Sequence, residues 1–84
     1  MSEFVMSEAI IMAVLNEVGE NFPDETVRNV GELVKHNEAG VALDTLCSQI
    51  FEYGIQLSGK NSARLKEAAC LMSIPLSQLD GLAD

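Results

Sequence analysis

The sequence predicts an all-α protein: a compact bundle of four helices followed by a short C-terminal helical turn. Apolar residues recur at steps of three and four along most of the 84-residue chain, and no stretch alternates as a strand does. Glycine, proline or a capping side chain separates the periodic segments. Because a chain of this length builds only one small core, we expect a single helical domain over residues 1–84.

The first helix is predicted from Glu3 to Val18, and Gly19 ends it because glycine tolerates the left-handed conformation. Its apolar surface is wider than one stripe. A helix of this kind is either the central element of a bundle or part of a protein interface. The apolar residues are Phe4, Ile10, Ile11, Met12, Val14, Leu15 and Val18.

The second helix is predicted to begin at Pro23, whose missing N–H costs nothing in the first turn. Asp24 and Glu25 suit the positive end of its dipole. The expected inner face consists of Val27, Val30, Leu33 and Val34. The expected outer face consists of Glu25, Arg28, Glu32 and Lys35. Their alternating charges at steps of three and four predict a solvated face with internal ion pairs.

The third helix is predicted to begin behind Asn37 as the N-cap, with Glu38 in its first turn, and to end at Gly54. The expected apolar stripe consists of Ala39, Ala42, Leu43, Leu46, Ile50 and Tyr53. The opposite face carries Asp44, Ser48 and Glu52 in successive turns, and the helix contains no lysine or arginine. This negative face is therefore uncompensated, which favours a functional role.

The fourth helix is predicted to be capped by Ser58 and to continue to about Met72. Its expected inner residues are Leu65, Ala68, Ala69 and Met72. Residues 55–57 form a short apolar connector before it. Pro75 begins a last turn, in which Leu76 and Leu79 dock onto the bundle.

The charge of the chain is strongly negative and unevenly distributed. Thirteen acidic residues face five basic ones, for a net charge of −8. Residues 1–55 hold ten of the acids and only Arg28 and Lys35, so this part accounts for the whole net charge. Such a field repels nucleic acid and anionic membranes and attracts a basic protein partner.

The longest unbroken apolar run, Ala9 to Leu15, is far too short to span a bilayer. No basic leader precedes it, so we expect a soluble, cytoplasmic protein without membrane association. Cys47 and Cys70 both fall in apolar helical stretches. We expect two reduced thiols that behave as small buried hydrophobes.

No catalytic or metal-binding pattern emerges, and we expect neither enzymatic activity nor a cofactor. His36, the only histidine, suits the end of the second helix by its favourable interaction with the dipole. Acyl carrier proteins are also small, acidic four-helix bundles, but they attach their prosthetic arm to the serine of Asp-Ser-Leu at a helix start. Here Asp44-Thr45-Leu46 lacks the serine and lies within the third helix.

The third helix also carries a resemblance. The stretch HNEAGVALDTLC, from His36 to Cys47, followed by Gln49, Glu52, Tyr53 and Ile55, resembles the signature of small bacterial immunity proteins of the MafI and CdiI kind. These proteins are antidotes to polymorphic toxins, including those of contact-dependent growth inhibition. The resemblance covers roughly residues 30–58. It implies a cytoplasmic inhibitor that binds one cognate toxin domain and blocks its active site.

Many such toxins are nucleases with a positively charged cleft, which suits an acidic antidote. We therefore expect the toxin to contact one or both of two acidic surfaces. The first is formed by Asp44, Ser48 and Glu52 of the third helix. The second surrounds the first interhelix turn and is formed by Glu17, Glu20, Asp24 and Glu25.

Phe22 lies beside this second cluster, where it is either a buried anchor for the toxin or a staple that packs the turn onto the core. The alternative function is a non-enzymatic adaptor or regulatory module that docks a basic protein partner. An antidote would be encoded immediately downstream of a large toxin, whereas an adaptor would not.

Overall fold

The computed structural model describes residues 3–79, with side chains from residue 5 onwards, and within these residues it is helical without a strand. It confirms the predicted all-α architecture of four helices and a terminal turn. The helices are α1 (Glu3–Val18), α2 (Asp24–Lys35), α3 (Ala39–Glu52) and α4 (Gly59–Leu71). Short 3-10 turns follow α1 at Gly19–Asn21 and precede the end of the described chain at Leu76–Gln78.

The core is formed by one face of each helix. α1 packs most extensively against α4, and α2 packs against α3, while α3 also contacts α1 and α4. The fully buried large side chains are Ile11, Val14 and Leu15 of α1, Val30 of α2, Leu43 and Leu46 of α3, and Leu65 of α4. Leu79 closes the core behind the terminal turn, as predicted.

α1 is buried on one side only. Ile11, Val14 and Leu15 face the core, whereas Val5 and Met6 are about half exposed on the opposite side. The helix is therefore not the enclosed centre of the bundle, although its apolar residues extend around most of its circumference. The side chain of Phe4, one of the predicted apolar residues of this helix, lies outside the described residues.

Three helices end with the same hydrogen-bonding motif. After α2, the N–H of Asn37 donates to the carbonyl of Val34 at 3.2 Å and the N–H of Glu38 to that of Leu33 at 2.9 Å. Equivalent pairs of bonds follow α3 and α4. The residue at the turning point has a positive φ in each case: Asn37 (62°), Gly54 (62°) and Ser73 (58°). This is the Schellman motif, which satisfies the last carbonyls of a helix.

The predicted N-cap role of Asn37 is wrong, because the Schellman motif of α2 uses this residue. Asparagine adopts the left-handed conformation more readily than most residues, and here it closes α2. The residue that caps α3 is Glu38, without a side-chain hydrogen bond. Ser58 does cap α4 as predicted, accepting a hydrogen bond of 3.1 Å from the N–H of Asn61.

The predicted burial of Cys70 is wrong. Cys70 is exposed, because it lies about 100° around α4 from the buried Ala69. Cys47 is buried as predicted.

On the outer face of α2, His36 Nε2 lies 3.3 Å from Glu32 Oε2. Within the described chain, Arg28 does not form the predicted ion pair with either of its neighbouring glutamates.

Candidate functional site

The predicted acidic surface of the third helix is formed in the structure. Asp44 and Glu52 are exposed and Ser48 is half-buried, one above another along the side of α3 that faces away from the core. Val41 and Phe51 lie on the same side. We call Val41, Asp44, Ser48, Phe51 and Glu52 the α3 face. Since α3 contains no lysine or arginine, its own residues do not neutralise the two carboxylates.

Phe51 gives the α3 face an exposed aromatic ring. With 67% of its surface accessible, it is the most exposed of the large hydrophobic residues in the described chain. Successive residues of an α-helix are 100° apart around its axis, so Phe51 lies beside Asp44 and Ser48 and away from the buried Ile50. Phe51 was not among the predicted site residues, although the angular spacing of residues along α3 places it on this face.

Glu52 is held at the end of a short chain of side-chain hydrogen bonds. The hydroxyl of Thr26 on α2 donates to Gln49 Oε1 at 3.2 Å. Gln49 Nε2 in turn donates to Glu52 Oε2 at 3.2 Å. These contacts connect the first turn of α2 to the last turn of α3, so that the carboxylate of Glu52 has a preferred orientation.

Phe22 is buried within the chain, which is the position expected of the staple and not of an anchor that enters the toxin. Only 6% of its surface is accessible. Its ring meets that of Tyr53 edge to face, with centroids 5.9 Å apart and planes at 66°. Phe22 thus packs the first interhelix turn against the end of α3, while the predicted core residue Tyr53 is half exposed and covers it.

The second predicted acidic surface is divided in the structure. Glu17 lies toward α4, where it accepts a hydrogen bond of 2.6 Å from Asn61 Nδ2. Glu20 and Asp24 line an open groove of about 470 Å³ between α1 and α2, together with Arg28. Glu25 is exposed but does not line this groove. The four carboxylates therefore do not form one continuous surface.

The residues around Glu17 lower the pKa of its carboxylate. The hydrogen bond from Asn61 lowers its pKa below the ordinary value of 4.5, against an opposing effect of burial. The positive charges of Arg64 and Lys60 lower this pKa further. Arg64 Nη1 lies 3.5 Å from Glu17 Oε1. Glu17 is thus engaged in joining α1 to α4.

A groove adjoins the N-terminal end of the α3 face. It has a volume of about 290 Å³ and lies between α3 and the C-terminal segment. Apolar side chains of Val41, Ile74 and Leu79 line it, and Asp44 stands at its edge. Gln78 also lines this groove, so its lining is part polar and part apolar. The α3 face thus combines carboxylates, an exposed ring and an adjoining groove, features suited to contact with a protein.

The described residues hold no group of three or more histidine, cysteine, aspartate or glutamate side chains placed to bind a metal ion. In the same part of the chain, no helix has the length and apolar character that crossing a membrane requires. Comparison with known protein families, curated proteins and solved structures found no match to the chain.

Proposed function

We propose that this chain is an immunity protein of the MafI and CdiI kind, which binds a cognate bacterial toxin domain and blocks its active site. The observation that carries the proposal is the α3 face. There an exposed Phe51 stands beside the carboxylates of Asp44 and Glu52 on a helix without a basic residue. The resemblance of residues 36–55 to the immunity signature falls on this same helix.

The α3 face has the two components that tight protein–protein recognition uses. A large side chain that enters a pocket of the partner supplies most of the binding free energy, and Phe51 is exposed enough to do so. Carboxylates around it raise the association rate with a basic partner and disfavour acidic ones. A nuclease whose cleft is positively charged is the toxin class that fits this surface.

The inner side of α3 supports this role by keeping the face in place. Ala42, Leu43 and Leu46 are fully buried against the other helices, so the outward residues project from a rigid element. The hydrogen bonds from Thr26 through Gln49 to Glu52 add a link to α2. A preorganised surface loses less conformational entropy on binding, which favours high affinity.

On this proposal the protein acts in the cytoplasm, needs no cofactor and catalyses no reaction. It captures the toxin before substrate is cut, which requires rapid association at low toxin concentration. The toxin's charged cleft would meet the α3 face, while the opposite side of the molecule stays free. The first-turn acids Glu20, Asp24 and Glu25 would contribute long-range attraction.

A rescue assay tests the proposal. The domain encoded immediately upstream is expressed in bacteria alone, with the wild-type chain, or with the Phe51→Ala variant. We expect survival with the wild type and loss of protection with Phe51→Ala. Cys70→Ala is the matched control, because it removes an exposed side chain from α4, and it should protect as the wild type does.

Two results would contradict the immunity proposal. One is an upstream domain that is harmless without this chain; the other is toxicity that the chain does not relieve. If the chain then co-purifies with a basic host protein through the α3 face, the adaptor function takes the place of the immunity function. Circular dichroism of each variant establishes that loss of protection does not come from unfolding.

A further inference from the structure

The outward side of α1 is a largely apolar surface without a charged residue. It comprises Val5, Met6, Ala9, Ala13 and Asn16, which lie on the side of the helix opposite the buried Ile11 and Val14. Val5 is 48% and Met6 is 54% exposed. A contiguous exposed apolar patch on a strongly charged chain is typical of a surface that contacts another molecule.

A groove extends this surface onto α2. It has a volume of about 350 Å³ and is lined by Met12 of α1 and by Gly31 and Val34 of α2. The charged residues Arg28, Glu32 and Lys35 also line it. We call the outward side of α1 and this groove together the α1–α2 face.

The charges around the α1–α2 face make it self-complementary. Arg28 and Lys35 are the only basic residues before Lys60 in the sequence, and both lie here. Among the described residues neither forms an ion pair within 4 Å. Glu8 flanks the same helix surface, and Glu32 lines the groove beside the two cations. A two-fold interface pairs a surface with itself, so it needs both signs of charge on one face.

We propose that the α1–α2 face is a homodimer interface, on which a second copy of this chain packs its own α1. Arg28 and Lys35 of one copy can pair with Glu8 and Glu32 of the other, which opposes the repulsion between two chains of net charge −8. This inference does not depend on the proposed function. α1 and α3 contact each other through their inner sides, so the α3 face stays free in both copies.

The size of the face predicts a weak dimer. α1 has 16 residues and is thus about 24 Å long. With α2 at a typical interhelical distance, the face measures roughly 24 by 18 Å, or about 430 Å² in projection. A stable interface buries about 800 Å² per partner, so we expect a dissociation constant on the order of 100 µM.

Sedimentation velocity of the full chain from about 10 µM to about 1 mM tests the proposal, since this range spans the expected constant. The wild type should shift from monomer to dimer across it. Ala9→Glu should raise the dissociation constant about tenfold or more, because it buries a carboxylate at the centre of the interface. Ala63→Glu, at an exposed position of α4, adds the same charge elsewhere and should dimerise as the wild type does.

A wild type that stays monomeric at about 1 mM overturns the proposal, given the expected constant. Equal dimerisation of Ala9→Glu and the wild type also overturns it. If Phe51→Ala abolishes self-association instead, the α3 face is the dimer interface and our assignment is wrong. Circular dichroism and thermal unfolding of each variant separate loss of the interface from loss of the fold.

Discussion

The carboxylate of Glu17 on α1 accepts a hydrogen bond of 2.6 Å from the side-chain amide of Asn61 on α4. Asn61 is buried, so its amide needs such a partner to offset the loss of water. Arg64 completes the group, donating to Asn61 Oδ1 at 3.3 Å and to Glu17 Oε1 at 3.5 Å. The first and last large helices are thus joined by polar contacts as well as by the core.

The pKa of Glu17 predicts a dependence of stability on pH. Its pKa in the folded state lies below the ordinary 4.5, so its charged form stabilises the fold above that value. This stabilisation is lost as pH falls through the lowered pKa. We expect Glu17→Gln to be less stable than the wild type at pH 7, with the difference shrinking in acid. Urea unfolding measured across this range provides the test.

A second carboxylate serves as the control for that measurement. Glu20 is exposed one turn further along, and no hydrogen bond joins its side chain to α4 within the described chain. Glu20→Gln should therefore cost less stability at pH 7 than Glu17→Gln, because it removes no contact with α4. If both variants alter the profile equally, the contact between Glu17 and Asn61 is not its cause.

Leu43 and Val41 lie on different sides of α3 and should differ sharply in their contribution to stability. Leu43→Ala removes a fully buried side chain and should lower the free energy of unfolding by about 2–5 kcal/mol. Val41→Ala, half exposed on the α3 face, should change it by about 0.5 kcal/mol or less. Chemical denaturation measures both. Equal losses of unfolding free energy in the two variants would contradict the assignment of Leu43 to the core and Val41 to the exposed side of α3.

In the Schellman motifs, removing a glycine and introducing one should have opposite effects on stability. Gly54→Ala places a side chain at a φ of 62° and should cost about 1 kcal/mol. Ser73→Gly relieves the same strain at 58° and should stabilise by about 0.5–1 kcal/mol. Thermal or chemical unfolding of the two variants tests this pair. Stabilisation by Gly54→Ala would show that the left-handed turn is not retained.

The helices could be predicted from local information, because periodicity and end signals are local properties of the chain. The bounds of α1 and the capping role of Ser58 agree with the structure for this reason. The expected left-handed Gly19 is wrong, because Gly19 continues α1 into a 3-10 turn without a positive φ. Asn37 was misassigned because asparagine suits both an N-cap and a left-handed C-terminal turn. Asn37 takes the second role because the Schellman motif of α2 ends at this residue. The local composition does not determine where that motif forms.

The candidate site was only partly predictable. The alignment of Asp44, Ser48 and Glu52 follows from helical geometry alone. The separation of Glu17 from Glu20 and Asp24 does not, because it depends on how α4 packs beside α1 and offers Asn61. The burial of Phe22 under Tyr53 likewise depends on contacts between distant segments.

Calorimetric titration with the upstream-encoded domain determines whether the α3 face binds a basic partner. The variant Asp44→Lys with Glu52→Lys reverses the charge of this face. The control, Glu32→Lys with Glu67→Lys, makes the same net change at exposed positions of α2 and α4. We predict that the first variant weakens binding at least about a hundredfold and the control less than about tenfold. Equal affinities for the wild type and the α3 variant would contradict the claim.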